Sequence, residues 1–142
     1  MNPPDGRPRF HLAIGVDDLA AAARFYGDVL GFGRGRQDAD WIDWNLHGHQ
    51  LVTHRVDHPK TPAHNIVDGH DVPVPHFGLI LEVEQFHELA QRLSEHNVVF
   101  VIEPYVRFAG EVGEQWTMFL RDPAGNAIEF KSFADDAQVF AV

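Results

Sequence analysis

Ten histidines and no cysteine in a chain of 142 residues put its reactive chemistry in imidazole and carboxylate groups. Histidine serves both as a divalent-metal ligand and as a general base near neutral pH. Three positions stand out. His11 and His76, 65 positions apart, each open a segment that reads as a strand, Phe10–Val16 and His76–Val83. Glu129 lies in a third such segment, 127–133. Alternation puts His11 on one face with Ala13 and Gly15, His76 with Gly78 and Ile80, and Glu129 with Ala127 and Lys131. Small neighbours leave room above a ligand that a packed core does not. Two neutral imidazoles and one carboxylate make a good divalent site and leave positions open for water, substrate or dioxygen. A cation also offsets the cost of burying a carboxylate. Singly, a strand histidine is usually an ordinary hydrogen-bonded residue and a lone glutamate a solvated one. Their equivalent faces in a repeated plan favour metal ligation.

That plan is strand, helix and three strands, twice. Residues 1–9, with three prolines and a glycine, read as a loose arm. After the first strand, Asp17 or Asp18 caps a helix over Leu19–Leu30, whose apolar positions recur at helical spacing and which Gly31 ends. Strands are expected near 33–38, 41–46 and 49–56, with Gly48-His49 as a modest hairpin signal. Residues 57–75 hold four prolines, three histidines and three aspartates with little periodicity, and read as an inter-module loop. The second module, 76–133, continues with a helix over Glu84–Asn97 and strands near 98–106, 115–121 and 127–133. Pro123-Ala-Gly-Asn126 is turn chemistry between the last two. The expected organisation is one domain: arm 1–9, module 10–56, loop 57–75, module 76–133 and tail 134–142.

Composition removes several function classes. The formal charge of −10, from 11 Lys and Arg against 21 Asp and Glu, repels phosphate backbones and anionic lipid. Neither nucleic acid nor a membrane is expected as a partner. Without cysteine there is no disulfide, thiolate site or thiol nucleophile. No apolar run approaches a membrane helix or signal peptide, so a soluble, cytoplasmic protein is expected. Phosphate loops, dinucleotide glycine fingerprints and Gly-x-Ser-x-Gly elbows are absent.

Several segments resemble the vicinal oxygen chelate superfamily of glyoxalases, bleomycin resistance proteins and extradiol dioxygenases. They are His11-Leu-Ala-Ile with Asp17-Asp-Leu19, Arg24-Phe-Tyr26 with Val29-Leu-Gly-Phe32, and Asp122-Pro-Ala-Gly-Asn-Ala-Ile-Glu-Phe130. The resemblance implies an α+β fold in which two βαβββ modules pair into a cupped, mixed eight-stranded sheet around a central metal. It implies His11, His76 and Glu129 as the ligands, one divalent ion, a small-molecule substrate and a homodimer. Glyoxalase I has a glutamate on the last strand of its first module. Aligning Thr53-His54 with the similar glyoxalase pair puts Leu51 there, facing the cup, with Gln50 or Val52 one register step away, and none is an acid. Three protein ligands resemble extradiol dioxygenases, and Fe(II) is favoured over Zn, Ni or Mn. A glyoxalase-like isomerase or lyase is the alternative, followed by a non-enzymatic protein that binds a small-molecule antibiotic.

Tyr105, His49 and His54 are candidate general bases. Trp41, Phe108, Arg107 and Gln115 are candidate substrate contacts. Gly110 and Gly113 could make the 108–113 loop a mobile cover, and Trp44 and Trp116 compete between pocket and core. His58, His64 and His70 are spaced too widely for a metal tract and read as solvated. A ligand that binds only the folded state stabilises it by about 2.7 kcal/mol at a hundred times its dissociation constant. A chelator should therefore lower the melting temperature of the wild type while barely changing that of His76→Ala, as followed by thermal denaturation.

Overall fold

The computed structural model describes residues 6–60 and 63–142. Residues 1–5 of the expected arm and 61–62 of the expected loop lie outside the described residues. The chain divides into two compact units.

The first unit holds β1 (His11–Val16), β2 (Gly33–Gln37), β3 (Trp41–Leu46) and β4 (His49–Arg55) as one mixed sheet in the order β1-β4-β3-β2. β1 runs parallel to β4 and the other pairs are antiparallel. The Asp18 carboxylate caps α1 (Leu19–Ala23) by accepting from the Ala21 amide at 3.0 Å. The expected single helix changes after α1 into a π-helical stretch, Arg24–Val29. Tyr26, Trp44 and Leu51 are fully buried, and Trp44 Nε1 donates to Thr53 Oγ1 at 3.1 Å. The turn Asp122–Asn126 belongs to this unit. Buried Asp122 accepts from the backbone amides of Ala124 and Asn126, the Asn126 side chain and the Tyr26 hydroxyl. Asn126 Nδ2 also donates to the Gly15 carbonyl at 2.8 Å. Burial, then the Asp122 charge and hydrogen bond, push the Tyr26 phenol well above its ordinary range.

The second unit repeats this order. β7 (Phe77–Ile80), β8 (Ile102–Arg107), β9 (Gln115–Arg121) and β10 (Ala127–Phe133) form a sheet ordered β7-β10-β9-β8, with β7 parallel to β10. The eight strands of the two α+β modules are thus hydrogen-bonded as two mixed sheets of four. The helix α2 (Val83–Glu95) opens with a capping box between Glu82 and Gln85. Its Phe86 and Leu93 are buried, and Phe86 lies 6.2 Å from the Trp116 ring. The face of β9 and β10 carrying Met118, Leu120, Ile128 and Phe130 is buried core.

The stretch read as a loop contains a hairpin, β5 (Ala63–Val67) with β6 (His70–Val74). Asp68 and Gly69 both have positive φ, 51° and 76°, the conformation of a two-residue turn that matches strand twist. Pro73 is tolerated because β6 pairs on one side alone. In the tail, Asp136–Gln138 form a 3-10 turn. No helix of the described residues is long and apolar enough to cross a membrane.

The expectation that Leu51 faces the cup is corrected. His11 pairs with Gln50, whereas Leu51 pairs with Leu12 and Trp44 on the opposite face and is 1% exposed. A carboxylate there would be buried without a partner. Leu51→Glu should therefore abolish cooperative folding, or lower the melting temperature by well over 10 °C, without creating a metal ligand, as read by circular dichroism and metal titration.

Candidate functional site

The second sheet aligns its side chains in cross-strand rows. Ile102, Phe119, Glu129 and Gly78 form one row, Tyr105, Thr117, Lys131 and Ile80 the next, and Arg107, Gln115 and Phe133 the third. His76 immediately precedes β7. Its Nε2 lies 3.0 Å from Glu129 Oε2, and its Nδ1 lies 2.7 Å from the Pro73 carbonyl oxygen. A carbonyl only accepts, so Nδ1 carries the proton. Nε2 therefore meets the carboxylate as a bare lone pair unless a proton or a cation stands between them. Thr117 Oγ1 donates to the other oxygen, Glu129 Oε1, at 2.7 Å.

These residues fit a divalent ion. Two ligands at about 2.1 Å from one ion and about 90° apart are about 3.0 Å from each other, which is the observed separation. Each side chain also has the outer hydrogen bond that would fix the direction of a metal ligand. Without metal, a proton does the same work. The Glu129 hydrogen bond raises the His76 pKa above its ordinary 6.5 and outweighs burial. Burial alone would raise the Glu129 carboxyl, but hydrogen bonds from His76 and Thr117 with the Lys131 charge bring it below its ordinary 4.5.

The small residues beside the histidines have a different cause from the open space expected. A Cβ on Gly78 would collide with the Glu129 carbonyl across the β7–β10 pair. A Cβ on Gly15 would come within 2.7 Å of Val56 Cγ2. Close backbone approach requires glycine at 78, whereas at 15 an added Cβ would press on the Val56 side chain.

In the first unit, His11 is exposed and its Nδ1 donates to Gln50 Oε1 at 2.7 Å, while its Nε2 has no partner among the described residues. Gln50 thus holds a histidine. No group of three or more His, Asp or Glu side chains able to hold a metal is present among the described residues. The gathered pair is His76 with Glu129.

The remaining candidates separate by their partners. Tyr105 donates to Asp68 Oδ2 at 3.2 Å, and burial followed by the Asp68 charge raises its pKa. His49 accepts from the Phe10 amide at 2.9 Å through Nδ1. His54 is exposed on the Gln50 face of β4. Trp41 is half-buried opposite His54. Arg107 donates to Asp68 Oδ2, and its guanidinium lies 4.9 Å from the Phe108 ring. Gln115 is buried, and its Oε1 has no partner among the described residues. Within the 108–113 loop, the Gly110 amide donates to Glu114 Oε1 at 2.7 Å. Sequence reasoning passed over Asp68, Pro73 and Thr117. Asp68-Gly69, directly after the apolar pair Ile66-Val67, was a legible turn signal. Nothing in the sequence singled out Thr117 or the Pro73 carbonyl.

The Glyoxalase/Bleomycin resistance protein/Dioxygenase superfamily model matches residues 10–130. A glyoxalase/bleomycin resistance protein/dioxygenase from Alicyclobacillus acidocaldarius is 31% identical, with TM-score 0.78, over 99% of this chain and 100% of that one. A glyoxalase/dioxygenase from Nostoc punctiforme is 18% identical, with TM-score 0.66 and coverage of 95% and 97%. The fosfomycin resistance protein FosX from Listeria monocytogenes is 14% identical, with TM-score 0.68 and coverage of 89% and 93%. The last two are similar in fold. Among curated proteins none matches significantly.

The pair makes metal-free stability depend on pH. His76, with its raised pKa, contributes fully below 6.5, and that contribution is lost as pH rises through its folded value. Glu129, with its lowered pKa, contributes above 4.5 and loses that contribution as pH falls through its folded value. The joint contribution is largest between 4.5 and 6.5. Glu129→Gln should flatten the decline in metal-free stability from pH 6 to pH 8, measured by urea denaturation in chelator. An unchanged slope would refute the coupling.

Proposed function

Because the chain belongs to the Glyoxalase/Bleomycin resistance protein/Dioxygenase superfamily, we propose that it is a metal-dependent enzyme of the extradiol-dioxygenase kind. Its substrate is a small molecule that presents neighbouring oxygens to one divalent ion. The observation that carries this reading is the His76 Nε2–Glu129 Oε2 approach of 3.0 Å, with Nδ1 committed to the Pro73 carbonyl. His11 is carried as the proposed third ligand on the resemblance alone, and its Nδ1 is likewise committed, to Gln50. Two histidines and a carboxylate favour Fe(II), which when bound would act as Lewis acid and template.

The chain's own groups have separate tasks. Pro73 and Thr117 aim the second unit's ligands, and Gln50 aims His11. Leu51 lies in the core and Gln50 is engaged with His11, so β4 offers no carboxylate as a fourth ligand. Tyr105 holds its proton and can donate to a substrate oxygen. Of the base candidates we retain His54, since the His49 Nδ1 lone pair is engaged. Trp41, Phe108, Arg107 and Gln115 remain the proposed substrate contacts. A cytoplasmic homodimer completes the proposal.

Protein purified without chelator should carry about one divalent ion per chain. After anaerobic Fe(II) loading, it should consume oxygen with one or more members of a catechol panel. Glu129→Gln should lose the ion, and Thr117→Val should weaken metal affinity about 10- to 100-fold. Metal bound without oxygen uptake would move the reading to an isomerase or lyase. Equal metal binding by wild type and Glu129→Gln would remove the site itself.

A further inference from the structure

We propose that Arg107 and Tyr105 form a subsite for an anionic substrate oxygen, occupied in this structure by the chain's own Asp68 carboxylate. The inference rests on reading the Glu129 face as the substrate site and adds the chemical class of the ligand: a small molecule bearing a carboxylate, phosphonate or phosphate group.

Both donors stand on β8 and converge on one atom, Asp68 Oδ2. They lie one and two rows from Glu129 on the same face, and Thr117, the register partner of Tyr105, bonds Glu129 directly. The pair thus already holds a carboxylate beside the proposed metal ligands. Lys131, in the Tyr105 row, has no carboxylate within ion-pair distance among the described residues and lies 5.9 Å from the Phe133 ring. Two cations and a phenol on one face stand out in a chain of net charge −10. The raised Tyr105 pKa keeps that phenol a donor. In the Arg107 row, the buried Gln115 Oε1 lacks a partner among the described residues and could accept from a ligand hydroxyl.

Asp68 is suited to give way. It occupies the tip of the β5–β6 hairpin at φ 51°. Its side chain is 40% exposed, so its ion pair with Arg107 is solvent-screened and weak. The hairpin otherwise rests on Val72 and Val67 packed with Ile102, Phe119 and Tyr105, and on the His70 ring, 4.6 Å from that of Tyr105. Its Ile66 is 74% exposed. A ligand oxyanion would compete with Asp68 for the same hydrogens, and displacing the carboxylate would free the hairpin tip.

The test uses the full chain in chelator, so metal binding has no part in the readout. Benzoate and methylphosphonate are titrated calorimetrically into wild type, Asp68→Ala, Arg107→Gln and the double variant, with circular dichroism confirming the fold. Asp68→Ala should bind at least one anion about tenfold more tightly than wild type. Arg107→Gln should abolish that gain in the double variant. The anion with the larger gain identifies the substrate group. Asp68→Ala binding neither anion more tightly, or a double variant that keeps the full gain, would overturn the subsite. Asp68→Ala/Glu129→Gln should retain the gain, so loss of the metal reading and loss of this one are told apart.

Discussion

The hydrogen bond from His76 Nδ1 to the Pro73 carbonyl is the constraint on which the second unit's chemistry depends. It fixes the tautomer, which decides that Nε2 meets Glu129 with a lone pair. An imidazole free to rotate would offer a proton or a lone pair with little preference, and a carboxylate at 3.0 Å would favour the N–H by accepting its hydrogen bond. The acceptor is a proline carbonyl near the end of β6, so the hairpin both precedes His76 in sequence and orients its ring. Glu129 is held in the same manner by Thr117.

The first unit repeats the device with different atoms. His11 opens a strand parallel to the last strand of its sheet, as β7 is parallel to β10. A Gln50 side chain replaces the proline carbonyl as the acceptor for Nδ1. The shared strand order, β1-β4-β3-β2 and β7-β10-β9-β8, makes the two histidines equivalent by topology. What distinguishes the units is the strand beside each histidine: β10 places the Glu129 carboxylate opposite Gly78, two residues past His76, whereas β4 places the Gln50 amide opposite His11 and Val52 opposite Ala13.

Much of this was legible in the sequence because alternation and helical spacing are strong signals. The two modules and most strands follow from apolar periodicity, and Asp18 and Gly31 mark the first helix correctly at its start and near its end. Alternation alone put His76 and Glu129 on the strand faces where they meet. The hairpin escaped because the prolines and histidines of 57–75 hide its periodicity, although its turn dipeptide was in view. Leu51 was misplaced for another reason. A one-residue change of register sends a strand residue to the opposite face, and a family pattern carries less register information than the His11–Gln50 pairing. The glycines beside the histidines were identified as significant, but the backbone approach that requires Gly78 depends on a strand 51 residues away and has no local signature.

The parallel pairing of β7 with β10 has a consequence in time. His76 and Glu129 are 53 positions apart and meet only when the last strand of the second sheet docks beside the first. Contacts of such sequence separation form late, because the loop between them must close before they give any return. During synthesis His76 emerges with the hairpin that orients it well before its carboxylate partner leaves the ribosome. An ion captured by the nascent chain at that stage would find one oriented imidazole and no Glu129. Under the proposed metal reading, selection of the ion would belong to the finished sheet, after His76 and Glu129 have met.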